Sequence, residues 1–87
     1  MGELSLLPNI GKVVEGQLNA VGIFTASELS AAGSRGAWLK IRAIDDSACI
    51  HRLYSFEGAI RGIKKSELPP EVKADLKAFY QSFASQV

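Results

Sequence analysis

The sequence contains a single cysteine, Cys49, and a single histidine, His51, in 87 residues. One cysteine excludes an intrachain disulfide and points to a reducing compartment. One cysteine with one histidine cannot assemble the usual tetrahedral zinc site, so no metal and no other cofactor is expected. An excess of charge of either sign is also missing: ten basic and nine acidic residues leave a formal net charge of +1. That weighs against tight, charge-driven nucleic-acid binding, because each neutralised phosphate needs a nearby cation. No apolar run approaches the roughly 20 residues of a membrane span. The chain begins at Met1 without the basic-then-apolar pattern of a secretion signal, so a cytoplasmic protein with no membrane partner is expected. Strand-like alternation of useful length is absent, as are internal repeats and low-complexity segments.

What is present reads as helix. A hydrophobic share of 47% against 22% charged residues describes one globular domain over residues 1–87, all-α, with a single modest core. Leu6-Leu7-Pro8-Asn9-Ile10-Gly11-Lys12 is the stretch around which the chain is organised. Pro8 fixes φ, Asn9 tolerates left-handed backbone, and Gly11 allows close approach at a first helical turn. The helix that follows, residues 9–21, carries Ile10, Val14, Leu18 and Val21 on one face and stops at Gly22. Backbone N–H groups at its start, with Gly11 and Lys12 beside them, can hold a phosphate.

Thr25 and Glu28 form a capping box for a short second helix that ends at Gly33. Ser34 then caps a third, holding Ala37, Trp38, Ile41 and Ile44 on its apolar side and Lys40 and Arg42 on its solvated side. Asp45, Asp46 and Ser47 break that helix and start a fourth over residues 47–63, whose broad stripe of Ile50, Leu53, Tyr54, Phe56, Ile60 and Ile63 predicts a central, buried element. Gly58 and Gly62 mark the place where another helix is expected to cross closely. Lys64 and Lys65 suit the negative end of this fourth helix. A final helix over residues 70–85 begins at Pro70 and aligns Val72, Leu76, Phe79, Tyr80 and Phe83. The expected architecture is therefore a compact orthogonal bundle of about five helices.

Groups able to do chemistry are few. Cys49 and His51 are two apart, so a helix would point them in different directions. They are read as a buried structural cysteine and a surface or half-buried histidine, not a catalytic dyad. Glu57, in an apolar helix, is expected to be partly buried and tethered to a cation or to backbone N–H groups. Trp38 is expected in the core. Enzyme activity has no support in these residues. The basic residues Lys12, Arg35, Lys40, Arg42, Arg52, Arg61, Lys64 and Lys65 are interleaved with acids. Their densest cluster, Arg61 with Lys64 and Lys65, makes a nucleic-acid face only if folding gathers it beside Lys12.

The set Leu7-Pro8-Asn9-Ile10-Gly11-Lys12, Leu18, Val21-Gly22-Ile23, Thr25 and Glu28-Leu29 resembles the start of the TfoX C-terminal domain. The similarity continues through Ala37-Trp38-Leu39, Arg42-Ala43-Ile44-Asp45, Leu53-Tyr54, Glu57-Gly58-Ala59-Ile60, Gly62, Leu68-Pro69, Glu71-Val72-Lys73 and Leu76, and so covers residues 5–79. The resemblance implies a stand-alone version of a bacterial domain family linked to regulation of natural competence and DNA transformation, whose longer members carry a separate N-terminal domain.

The opening also resembles helix-hairpin-helix modules, as in the C-terminal domain of the bacterial RNA polymerase α subunit. That similarity implies a SAM-like or helix-hairpin-helix-like fold in which Asn9-Ile10-Gly11, followed by Lys12, stands where those modules hold a DNA phosphate. Glu15 departs from the small apolar residue common in such hairpins.

Two functions follow as expectations. The first is a non-enzymatic regulatory or protein-interaction module, its partner an unidentified regulatory protein or a second copy of the chain. The second is weak, sequence-independent DNA binding through Asn9, Gly11 and Lys12, supported by Arg61, Lys64 and Lys65.

Overall fold

The computed structural model describes residues 3–84. Four helices follow one another as α1 (Lys12–Ala20), α2 (Ala26–Ile44), α3 (Ile50–Arg61) and α4 (Pro70–Ala84), with 3-10 turns at Leu4–Leu6 and Lys65–Glu67. No strand occurs among the described residues, so the class is all-α. The helix count is four, not the expected five. The expected second and third helices follow each other without a loop, as the two halves of α2, and the break expected at Gly33 is present as a kink. Gly33 alone leaves helical geometry, at φ 77° and ψ 162°, and the chain resumes its helix at the next residue. Ser34 does not cap the second half as expected; its hydroxyl donates to Glu57 Oε1 at 2.6 Å.

The helix ends follow their local chemistry. The Thr25–Glu28 capping box forms, with Glu28 N–H donating to Thr25 Oγ1 and Thr25 N–H to Glu28 Oε1. Glu3 adds a further acceptor there, taking the Ala26 N–H at 3.1 Å. α1 and α3 end alike. Ile23 N–H reaches back to Leu18 C=O and Gly22 N–H to Asn19 C=O, and Ile63 and Gly62 repeat the pattern onto Gly58 and Ala59. This closure needs left-handed backbone at the glycine, and Gly62 has φ 76° and ψ 26°.

α2 and α4 start where the sequence predicts, after Thr25 and at Pro70, but α1 and α3 start further along the chain. Gly11 is the extended residue before α1, which begins at Lys12 and not at residue 9. Asp45 Oδ1 accepts both the N–H and the hydroxyl of Ser47, which holds residues 45–48 in a turn and delays α3 to Ile50. Ser85, the expected last residue of the final helix, lies outside the described residues.

α2 and α3 form the main packing pair; α4 and the second 3-10 turn rest on α3, and α1 rests on α2 and the first 3-10 turn. Leu4, Leu18, Leu29, Trp38, Ile41, Leu53, Phe56 and Leu76 are fully buried between them. Trp38 takes its expected place in the core. Its indole N–H donates to Cys49 C=O at 3.1 Å, and its rings meet Phe79, Tyr80 and Phe83 of α4 edge-on at 6.0, 5.6 and 5.2 Å. Ile44, expected on the buried face, is 56% exposed, because the chain leaves α2 at Asp45 and turns towards α3. No helix among the described residues is long and apolar enough to cross a membrane.

Candidate functional site

The turn between the first 3-10 turn and α1 is organised by Asn9, the one non-glycine residue with positive φ (71°) among the described residues. In that conformation its amide faces inward. Nδ2 donates to the C=O groups of Ile63 (3.1 Å) and Ser55 (3.4 Å), and Oδ1 accepts the Lys65 N–H at 3.0 Å. One side chain therefore ties the opening turn to the end of α3 and to the second 3-10 turn. Gly58 makes room for it: a β-carbon there would lie 2.5 Å from Asn9 Nδ2 and 2.7 Å from Ile63 C=O. The close approach anticipated at Gly58 exists, but the Asn9 side chain and residues 63–65 make it, not a crossing helix. Gly62 serves as the left-handed helix end instead.

An open cleft of about 710 Å³ lies along this seam, lined by Leu6, Pro8, Asn9 and residues 62–67. Leu6 is 85% exposed and, with Pro8 and Ile63, supplies the apolar part. Lys64, Lys65, Ser66 and Glu67 supply the polar part, with Glu67 Oε1 accepting the Lys64 N–H at 3.1 Å. Leu6, Pro8, Gly62, Ile63, Ser66 and Glu67 were not among the expected site residues, although Leu6 and Pro8 belong to the organising stretch. A leucine one residue from Leu7 carries no local sign that it faces solvent.

The expected site residues separate. Asn9 is brought to Lys64 and Lys65, though its amide is spent on the protein's own backbone. Gly11 and Lys12 are exposed at the start of α1 and do not line the cleft. No side chain caps that start. Arg61 is drawn away: its guanidinium contacts Glu57 at 2.6 Å and lines a small separate recess with Arg35, Glu57 and Asp75. The other arginines are also engaged. Arg35 lies over the Phe79 ring and Arg42 over the Phe83 ring, both at 5.7 Å, while Arg52 donates to Gln17 Oε1.

The carboxylates act as ties. Glu15 Oε2 accepts the N–H groups of Leu4 and Ser5, binding the first 3-10 turn to α1, which accounts for a carboxylate at this position. Glu57 is the expected tether. Burial pushes its carboxyl up, but the Ser34 hydroxyl, the Arg61 guanidinium and the Arg35 charge together outweigh that and leave it below its ordinary value. Asp45 is lowered to about 2 by the Ser47 hydroxyl, Gln17 Nε2 at 2.8 Å and the Ser47 N–H, with Arg52 adding its charge. Gln17, Asp45 and Arg52 thereby join α1, the end of α2, and α3.

Cys49 corrects another expectation: the thiol is exposed, not buried. Its residue precedes α3 with extended backbone, so the side chain stays outside the packed face. His51 is exposed with its ring edge-on to Tyr54 at 6.3 Å. Among the described residues no group of three or more metal-binding side chains comes together.

Comparisons with known proteins agree with this architecture. The crystal structure of an uncharacterised protein from Listeria monocytogenes in a triclinic form is 47% identical and superposes with a TM-score of 0.91, covering 93% of this chain and 92% of that one. A tetragonal form of a protein of unknown function from the same organism is 48% identical, with a TM-score of 0.89 over 92% of this chain and 98% of that one. No curated protein matches. The family model described as the TfoX C-terminal domain matches residues 1–80. With the opening turn, the capping box and the all-α packing in place, the chain belongs to the TfoX C-terminal domain family.

Proposed function

We propose that this chain is a non-enzymatic regulatory module that meets a protein partner through the cleft between the first and second 3-10 turns. The observation that carries this reading is Leu6, a leucine 85% exposed beside Pro8 and Ile63 at the mouth of an open cleft. An apolar side chain held in solvent against other apolar groups gains by being covered. The polar lining comprises two lysines, a serine and a glutamate already engaged by a main-chain N–H, a set that lacks an oriented nucleophile–base pair. Membership of the TfoX C-terminal domain family supports the place in the regulation of natural competence that the sequence resemblance implies.

The test is in-cell photocrosslinking with a benzophenone side chain at Leu6, set against the same group at Lys40, which is exposed on α2 away from the cleft. The expected result is a discrete protein adduct from position 6 and none from position 40. No adduct, or the same adducts from both, overturns the reading. An adduct of twice the chain mass identifies the partner as a second copy.

A second reading, weak DNA binding at Asn9, Gly11 and Lys12, draws support from the uncapped start of α1 beside the exposed Lys12. The engagement of the arginines within the fold and the carboxylate of Glu15 on α1 rank it second. Titration of labelled duplex at low salt with the native chain and with Lys12→Glu decides it. Equal binding by both, or none by either, ends the DNA reading.

A further inference from the structure

We infer that the cleft is shaped for an extended acidic peptide, one with an apolar side chain flanked by carboxylates. This inference rests on the protein-interaction reading and specifies its partner. Leu6, Pro8 and Ile63 form a surface that takes an apolar side chain. Lys64 and Lys65 border it, both exposed. The hydrogen bonds placing these two residues are made by their main-chain N–H groups, to Glu67 and Asn9. Neither ammonium takes part in the ion pairs of the described residues, which join Arg52 to Asp45 and Arg61 to Glu57. The lining carboxylate, Glu67, is turned to the Lys64 N–H and keeps its charge, so it offsets one of the two lysines and leaves an excess of one positive charge. The charge available to a ligand is therefore positive and sits at the edge of an apolar surface.

The cleft is also pre-formed. Asn9 bonds across the seam to Ile63 and Lys65, so both walls are fixed before anything binds and little ordering cost falls on the complex. A volume of about 710 Å³, open along one side, suits a few side chains of a chain that runs on beyond the cleft better than a small molecule enclosed on all sides. A duplex is a poorer match. It presents a continuous row of phosphates, whereas this surface offers two lysines with a glutamate beside them and a leucine that a phosphate cannot use.

The experiment pans a displayed library of random peptides on the intact protein and maps the enriched peptides by amide chemical shifts on the labelled chain. Enriched peptides should carry Asp or Glu on both sides of an apolar residue and perturb Leu6 and residues 63–67. A synthetic representative should bind about tenfold more weakly when its acids are made amides, and about tenfold more weakly to the Lys64→Glu/Lys65→Glu variant. That variant should accept the same peptide with lysines in place of its acids. Both lysines are exposed, and an unchanged thermal midpoint confirms that the variant is folded.

Neutral or basic peptides enriched at the same residues overturn the acidic specificity and leave the interaction reading standing. Peptides mapping elsewhere, or no enrichment at all, overturn both. Duplex DNA that perturbs the same residues at low salt and displaces the acidic peptide assigns the surface to nucleic acid instead.

Discussion

The side-chain nitrogen of Asn9 lies 2.5 Å from the point that a β-carbon on Gly58 would occupy. A glycine in the last turns of α3 thus exists for a side chain 49 positions earlier. The consequence runs against helix propensity. Alanine normally gains about 1 kcal/mol over glycine inside a helix, yet Gly58→Ala should destabilise the protein by about 2 kcal/mol through overpacking, measured by urea denaturation. Combining it with Asn9→Gly should relieve only part of the strain, because Ile63 C=O also lies 2.7 Å from the new atom.

Asn9 itself should separate into two contributions. Asn9→Gly keeps the left-handed backbone accessible and removes the amide, so it should cost about 2 kcal/mol for the lost hydrogen bonds. Asn9→Ala loses the same bonds and adds about 1 kcal/mol of backbone strain. Equal stabilities for the two variants would show that φ at this position is free to relax. In both, amide exchange at Lys65 should accelerate, since its N–H loses the Asn9 acceptor.

Stability should depend on acid through Glu57 and Asp45. Both carboxyls lie below their ordinary values in the folded chain. Such a group stabilises the fold fully above its unfolded pKa, and the contribution is lost as pH falls through the folded one. For Glu57 the loss begins below 4.5, and for Asp45 it runs from 3.8 down to about 2. The urea midpoint should therefore fall as the pH is lowered through this range, and Glu57→Gln or Asp45→Asn should each make the fall shallower. An unchanged profile in both variants would show that these carboxylates are not acting as ties.

Trp38 is the only tryptophan and is fully buried against three rings of α4. Its emission should be blue-shifted and insensitive to iodide in the native protein, and should shift to the red in one transition coincident with loss of helical circular dichroism. Trp38→Phe should cost about 2 kcal/mol, from the lost bond to Cys49 C=O and the smaller ring. A red-shifted native spectrum would mean that α4 does not cover the indole.

Cys49 should react with a thiol reagent in the folded state, because its side chain is exposed. One equivalent is expected, at a rate that urea below the unfolding transition leaves unchanged. A rate that follows unfolding would place the thiol in the core.

The sequence by itself determined whatever depends on neighbouring residues. Thr25 with Glu28 specified a helix start, and Gly22 specified a helix end, since capping and left-handed closure involve residues only a few positions apart. The 3.6-residue spacing of Val72, Leu76, Phe79, Tyr80 and Phe83 identified α4 and its inner face, and Trp38 was legible as core. The family, too, could be read from the pattern of the chain.

The tertiary structure decided where separated residues meet. Ser34 could have capped a helix, but Glu57, 23 positions away, takes its hydroxyl, and the two helical segments meet at the Gly33 kink without a loop. Arg61 stood beside Lys64 and Lys65 in sequence, yet a local i,i+4 pair with Glu57 on α3 and the recess shared with Arg35 of α2 and Asp75 of α4 hold it apart, so the basic cluster divides. Asn9 had the conformation its residue type suggested, but the partners of its amide lie 46 to 56 positions away, beyond the reach of any local pattern. The opening turn therefore serves as a clamp, and the cleft beside it, with Leu6 turned to solvent, exists only because that clamp brings residues 6–9 against residues 62–67.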